Sequence, residues 1–139
     1  MQNLRPILLV EDDDVDAMTV KRTFDELKVA NQLVRRVSGE EGLEYLRNGD
    51  NRKPCLILLD LNMPKMNGIE FLKIVKADEV LRKIPVIVLT TSKDEQDRVE
   101  SFKVGVGGYM LKPTSYKKFV DTVRTINLYW FLSELPDVG

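Results

Sequence analysis

The stretch Cys55-Leu56-Ile57-Leu58-Leu59-Asp60-Leu61-Asn62-Met63-Pro64 constrains this chain more than any other. Its apolar positions follow one another without the alternation of a half-exposed strand, the pattern of a parallel strand covered on both faces. The run halts at a carboxylate, with an Asn-Met-Pro turn behind it. In open α/β sheets ligands sit outside the carboxyl ends of the strands. Asp60 is therefore expected at the reactive edge.

The rest of the chain reads as alternating strands and helices around that one. Ile7-Leu8-Leu9-Val10 is a short buried strand that runs straight into Glu11-Asp12-Asp13-Asp14. The helix expected next carries Ala17, Val20, Phe24 and Leu27 on one face, has acids in its first turn and ends at Asn31. A second strand is expected over 32–37, and a short helix from Ser38 to about Arg47. After the Asp60 strand, Lys65-Met66-Asn67-Gly68 turns into a helix with Ile69, Leu72 and Val75 on one face. Pro85-Val86-Ile87-Val88-Leu89 is the fourth strand and delivers Thr90-Thr91-Ser92. A weaker helix over 95–104 stops at Gly105. Tyr109-Met110-Leu111 is a fifth strand ending at Lys112-Pro113, and a last helix runs from about 115 to 133. This alternation predicts one domain over residues 1–139, an α/β three-layer sandwich of five parallel strands and five helices. The flavodoxin-like strand order 2-1-3-4-5 is the expected topology.

Composition removes several chemistries. There is no histidine, so Ser-His and Cys-His nucleophile pairs, His-ligated zinc and His general bases all drop out. A metal would be held mainly by oxygen, which favours magnesium or calcium. One cysteine permits no internal disulfide and fits a reducing compartment; with no secretion signal in the opening residues, the cytoplasm is expected. A net charge of −1 gives no basic nucleic-acid surface, and no apolar run is long enough for a membrane span.

The polar groups converge. In the expected order Glu11, Asp12, Asp60, Thr90 and Lys112 all face one crevice. Two like charges at 4 Å repel by about 1 kcal/mol in water and about 4 kcal/mol at an effective dielectric of 20. Three carboxylates together therefore call for a cation. Alone, the acid run before the first helix would read as a solvated, dipole-favoured cap, and Asp60 as a turn residue. Thr90 alone would satisfy a strand-end amide, Lys112 would be a surface lysine, and Tyr109 a half-buried strand aromatic. The spacing Asp12-x-Asp14-x-Asp16 imitates a calcium loop but lacks its Gly, replaced by Ala17, and its bidentate Glu, replaced by Thr23.

Val10-Glu11-Asp12, Leu59-Asp60-Leu61-Asn62-Met63-Pro64, Leu89-Thr90 and Gly108-Tyr109-Met110-Leu111-Lys112-Pro113 together resemble the receiver domain of two-component response regulators. The resemblance covers nearly the whole chain. It implies that Asp60 accepts a phosphoryl group from a sensor histidine kinase. It also implies that Glu11, Asp12, Asp60 and the backbone carbonyl of Asn62 hold magnesium. Lys112 would contact a phosphoryl oxygen, Thr90 would move its hydroxyl onto that group, and Tyr109 would turn inward, remodelling the face of the fourth helix, fifth strand and fifth helix. Slow loss of the protein's own phosphate completes the cycle. A cis Lys112–Pro113 bond is also implied. Glu11 stands where many receivers have Asp, and Thr91 where a smaller residue is common; Thr91 is expected to alter dephosphorylation rate.

The last helix carries apolar groups nearly all round, including Tyr129, Trp130, Phe131 and Leu132. With Leu89-Thr90-Thr91-Ser92, this tail is similar to small stand-alone receivers that work with phytochrome-type kinases and pair through this end. A homodimer through these four residues is the expectation. With no output domain expected after the last helix, signalling would pass through protein contact or phosphate relay. Competing readings are an adaptor that has lost phosphorylation, a magnesium-dependent phosphatase with an aspartyl nucleophile, and a flavin-binding electron carrier. The last is disfavoured because acids at the end of the first strand repel phosphate.

Overall fold

The unbroken apolar runs are unbroken because each strand feeds two cores. Leu8 and Val10 of β1 (Ile7–Val10) and Ile57 and Leu59 of β3 (Leu56–Leu59) enter one cluster, while Ile7, Leu9, Leu56 and Leu58 enter the other. Neighbouring side chains on a strand point to opposite faces, so a sheet covered on both sides needs apolar residues at every position. All eight are at most 2 % exposed.

The computed structural model describes residues 4–91, 93–113 and 115–131; for Glu95, Asn127, Tyr129, Trp130 and Phe131 it describes the backbone alone. With β2 (Leu33–Arg36), β4 (Val86–Thr90) and β5 (Gly108–Leu111), the strands form one parallel sheet in the order β2-β1-β3-β4-β5. The predicted topology is the observed one. Phe24 of α1 (Asp14–Glu26) and Phe119, Val123 and Ile126 of α5 (Tyr116–Phe131) cover one face. Leu43 and Leu46 of α2 (Gly39–Arg47) and Phe71 and Leu72 of α3 (Gly68–Ala77) cover the other, where Val104 of α4 (Glu95–Val104) also packs. A fully buried leucine or phenylalanine contributes about 1.5–3 kcal/mol by leaving water. The core thus holds the carboxyl ends of the strands in fixed register.

Helix α1 stops at Glu26, short of the Asn31 expected from sequence. Lys28 adopts a left-handed backbone with φ of 57°, its N–H donates to the Asp25 carbonyl at 3.1 Å, and the Val29 N–H donates to the Phe24 carbonyl at 3.0 Å. These two reverse bonds are a Schellman closure, made with lysine where glycine is usual. At the end of α4, Gly105 takes φ of 110°, as its position in the sequence predicts. The Lys112–Pro113 bond, expected to be cis, is trans, the state X–Pro bonds favour intrinsically by about 0.5–1 kcal/mol. Among the described residues no helix is long and apolar enough to cross a membrane.

Candidate functional site

Register brings the polar strand ends together. Val10 lies opposite Leu59, so Glu11 and Asp60 leave adjacent strands at the same level. The Asp60 N–H donates to the Val10 carbonyl at 3.1 Å, and the Glu11 N–H to the Arg36 carbonyl at 3.0 Å, extending the ladder one residue past each strand. On the other side Lys112 follows β5, and its N–H donates to the Thr90 carbonyl at 2.8 Å. Asp13 caps α1 by accepting from the Asp16 N–H at 2.9 Å, which turns the chain away immediately after the acid pair.

One ammonium sits among the carboxylates. Lys112 Nζ donates to Glu11 Oε1, to Asp16 Oδ2 at 2.9 Å and to Asp60 Oδ2 at 3.3 Å. Glu11, Asp60 and Lys112 are buried, at 2 %, 5 % and 8 % exposure, so these contacts are poorly screened. Burial first, and the Asp60 carboxylate second, raise the Glu11 carboxyl above the usual carboxylate range, against the pull of Lys112. For Lys112, burial acts to lower its proton affinity. The charge of Glu11, hydrogen bonds to Glu11 and Asp16, and the charge of Asp60 outweigh it, holding the ammonium above the usual lysine range.

Glu11, Asp12 and Asp60 each offer a carboxylate oxygen within 4.8 Å of the others. Asp12 is exposed and gives that cluster an open side. The donor set is oxygen alone, which suits magnesium or manganese rather than a thiolate-seeking metal. These residues fit a hard divalent cation.

The remaining sequence candidates fall in different places. Thr90 is fully buried at the end of β4, on the crevice edge. The Asn62 N–H donates to Asp60 Oδ1 at 3.2 Å, and its side-chain Nδ2 donates to Thr91 Oγ1 at 3.0 Å. Tyr109 lies within β5 opposite Val88, outside the carboxylate cluster, with its ring 6.5 Å from that of Phe102 on α4. The expected dimer contact at Tyr129, Trp130, Phe131 and Leu132 lies outside the described side chains.

Two residues of the site escaped the sequence reading. Asp16 entered it only as one acid of a run that imitates a calcium loop, although its place in the first turn of α1, just after the acid pair, was the available signal. Arg35, at the end of β2, donates from Nε to the Glu11 carbonyl at 3.0 Å and pairs with Asp14 at 2.8 Å. An arginine in a strand bordering an acid loop was the available signal.

Residues 7–124 match the family described as the response regulator receiver domain. The chain belongs to that family. As a receiver it is a signalling protein of the two-component type. Among curated relatives, the probable methanogenesis regulatory protein FilR2 of Methanothrix harundinacea is 39% identical over 127 residues, covering 89% of this receiver and 82% of FilR2. Response regulator Rcp1 of Synechocystis is 34% identical over 128 residues, covering 89% and 87%. The solved structure of the Mn(2+)-bound form of Rcp1 superposes on this receiver with a TM-score of 0.90 at 32% identity, covering 94% and 97% of the chains. That of the phosphorylated cyanobacterial phytochrome response regulator RcpA gives 0.89 at 34% identity, covering 96% and 99%.

Proposed function

We propose that Asp60 is the phosphoryl acceptor of a phosphorelay, fed by a sensor histidine kinase of the phytochrome type. The observation that carries this reading is the single ammonium of Lys112 bonded to both Asp60 and Glu11, with Asp12 in reach. In the transfer, an Asp60 carboxylate oxygen bonds to phosphorus as the bond from phosphorus to the donor histidine nitrogen breaks. The imidazole leaves with that electron pair. Lys112 then follows the new charge onto a phosphoryl oxygen, a role suited to a compact point charge on a flexible stem. Glu11, Asp12, Asp60 and the Asn62 carbonyl hold magnesium, which supplies neutralisation of the phosphoryl oxygens. The Mn(2+)-bound and phosphorylated states named for Rcp1 and RcpA support this assignment by likeness.

Thr90 carries the signal outward by turning its hydroxyl to the phosphoryl group, and Tyr109 follows into the space released beside β5. The α4–β5–α5 face is the output. The protein turns over no external substrate; it accepts phosphate and slowly hydrolyses its own acyl phosphate. Residues 1–139 act as one cytoplasmic receiver, with the apolar end of α5 and the tail after it pairing two copies. Trp130→Glu separates such a dimer in sedimentation at micromolar concentration, and a wild-type monomer under the same conditions contradicts the pairing.

Labelled phosphate on a phytochrome-type histidine kinase tests the assignment. The label passes to the wild-type protein and not to Asp60→Asn. Equal labelling of both proteins removes Asp60 from the role, and transfer only from kinases of another sensor class removes the phytochrome link.

A further inference from the structure

The Lys112 ammonium has partners of two kinds. Glu11 and Asp60 belong to the carboxylate cluster whose oxygens lie within 4.8 Å of one another, whereas Asp16 does not. Asp16 lies in the first turn of α1, its side chain 27% exposed, and reaches Lys112 Nζ at 2.9 Å across 96 positions of sequence. A divalent cation held by Glu11, Asp12 and Asp60 would draw on two carboxylates, those of Glu11 and Asp60, that Lys112 also contacts. Lysine and cation therefore compete for two carboxylates, while the bond to Asp16 is open to the lysine alone.

We propose that Asp16 is a positioning residue: it gives Lys112 an anchor outside the metal cluster, so that a cation can enter while the lysine stays beside Asp60. This rests on the reading of Glu11, Asp12 and Asp60 as a divalent-cation site. Asp16 is placed to act through Lys112 and touches neither cation nor phosphate. The backbone of Asp16 is fixed where its N–H donates to the cap at Asp13. With Asp16 neutral, Lys112 has only the shared carboxylates, and cation entry must strip it of charged partners altogether.

Calorimetric titration with magnesium chloride alone, without any phosphodonor, tests this. Asp16→Asn weakens magnesium binding about fivefold, because the Asp16 bond counts for more once the cation draws on Glu11 and Asp60 than while all three acids share the ammonium. Asp16→Glu, which keeps a carboxylate on the same helix face, stays within about twofold of wild type, the spread expected of an exposed charge contact. In a Lys112→Met background, where there is no ammonium to hold, Asp16→Asn likewise changes the affinity by less than about twofold. The same fivefold loss in both backgrounds overturns the proposal, because Asp16 then acts through its field alone. Wild-type affinity in Asp16→Asn with Lys112 present also overturns it while leaving the cation site standing. A wild-type protein that takes up no magnesium removes the cation site itself, and the proposal with it.

Discussion

Gly68 leaves no room for a side chain beside Asp60: a Cβ built on it falls 2.6 Å from the Asp60 carbonyl oxygen. It would also lie 2.6 Å from Leu61 Cα, and both are backbone atoms that cannot swing aside. The start of α3 is thereby pressed onto the segment leaving β3, and the Gly68 N–H donates to the Leu61 carbonyl at 3.0 Å. The backbone that carries Asp60 is backed by a helix start that only glycine admits.

Gly68→Ala is accordingly expected to lower stability by about 2–3 kcal/mol, the cost of overpacking a closed contact. Urea denaturation of the two proteins measures it. An unchanged midpoint would show that the α3 start yields freely, contrary to this packing.

The Asn62–Thr91 hydrogen bond joins the loops after β3 and β4 beside Asp60. Removing it in Thr91→Ala frees the two loops from each other and is expected to shorten the phosphoryl lifetime about two- to fivefold, the rate equivalent of one exposed hydrogen bond. Thr91→Val keeps the bulk without the bond and separates crowding from bonding. Decay of labelled protein after donor removal reads the difference; identical decay in Thr91→Ala and wild type contradicts a role for the bridge.

Glu11 binds its proton more tightly when folded than its ordinary value of 4.5 allows. A raised folded pKa favours the folded state at low pH, and that contribution is lost as pH rises through the raised value. Magnesium requires the deprotonated carboxylate, so its stabilising effect grows over the same window above the ordinary carboxylate range. The rise in melting temperature on adding magnesium should be larger at about pH 9 than at about pH 6, and Glu11→Gln should flatten the trend. A pH-independent rise in the wild-type protein contradicts the shift.

Much of this site was legible in the sequence because each strand is an apolar run cut off by a polar group. Ile7–Val10 before Glu11, and Leu56–Leu59 before Asp60, mark strand and edge in the same few residues. What stayed hidden depends on partners far along the chain. Asp16 acquires meaning only from an ammonium 96 positions away, and Thr91, singled out by resemblance, gains its bond from an amide 29 positions away. The end of α1 was misplaced because Lys28 takes a left-handed conformation that glycine would have advertised. The cis expectation at Pro113 came from resemblance, and local sequence carried no signal for it.

The proposed phosphotransfer requires Asp60 to be the nucleophile that Lys112 and the acids prepare. Intact mass after incubation with acetyl phosphate and magnesium tests that most directly. Wild-type protein should gain the mass of one phosphoryl group, lose it again on standing, and gain nothing without magnesium; Asp60→Asn should gain nothing at all. Equal phosphorylation of Asp60→Asn, or none in the wild type with magnesium present, would contradict it.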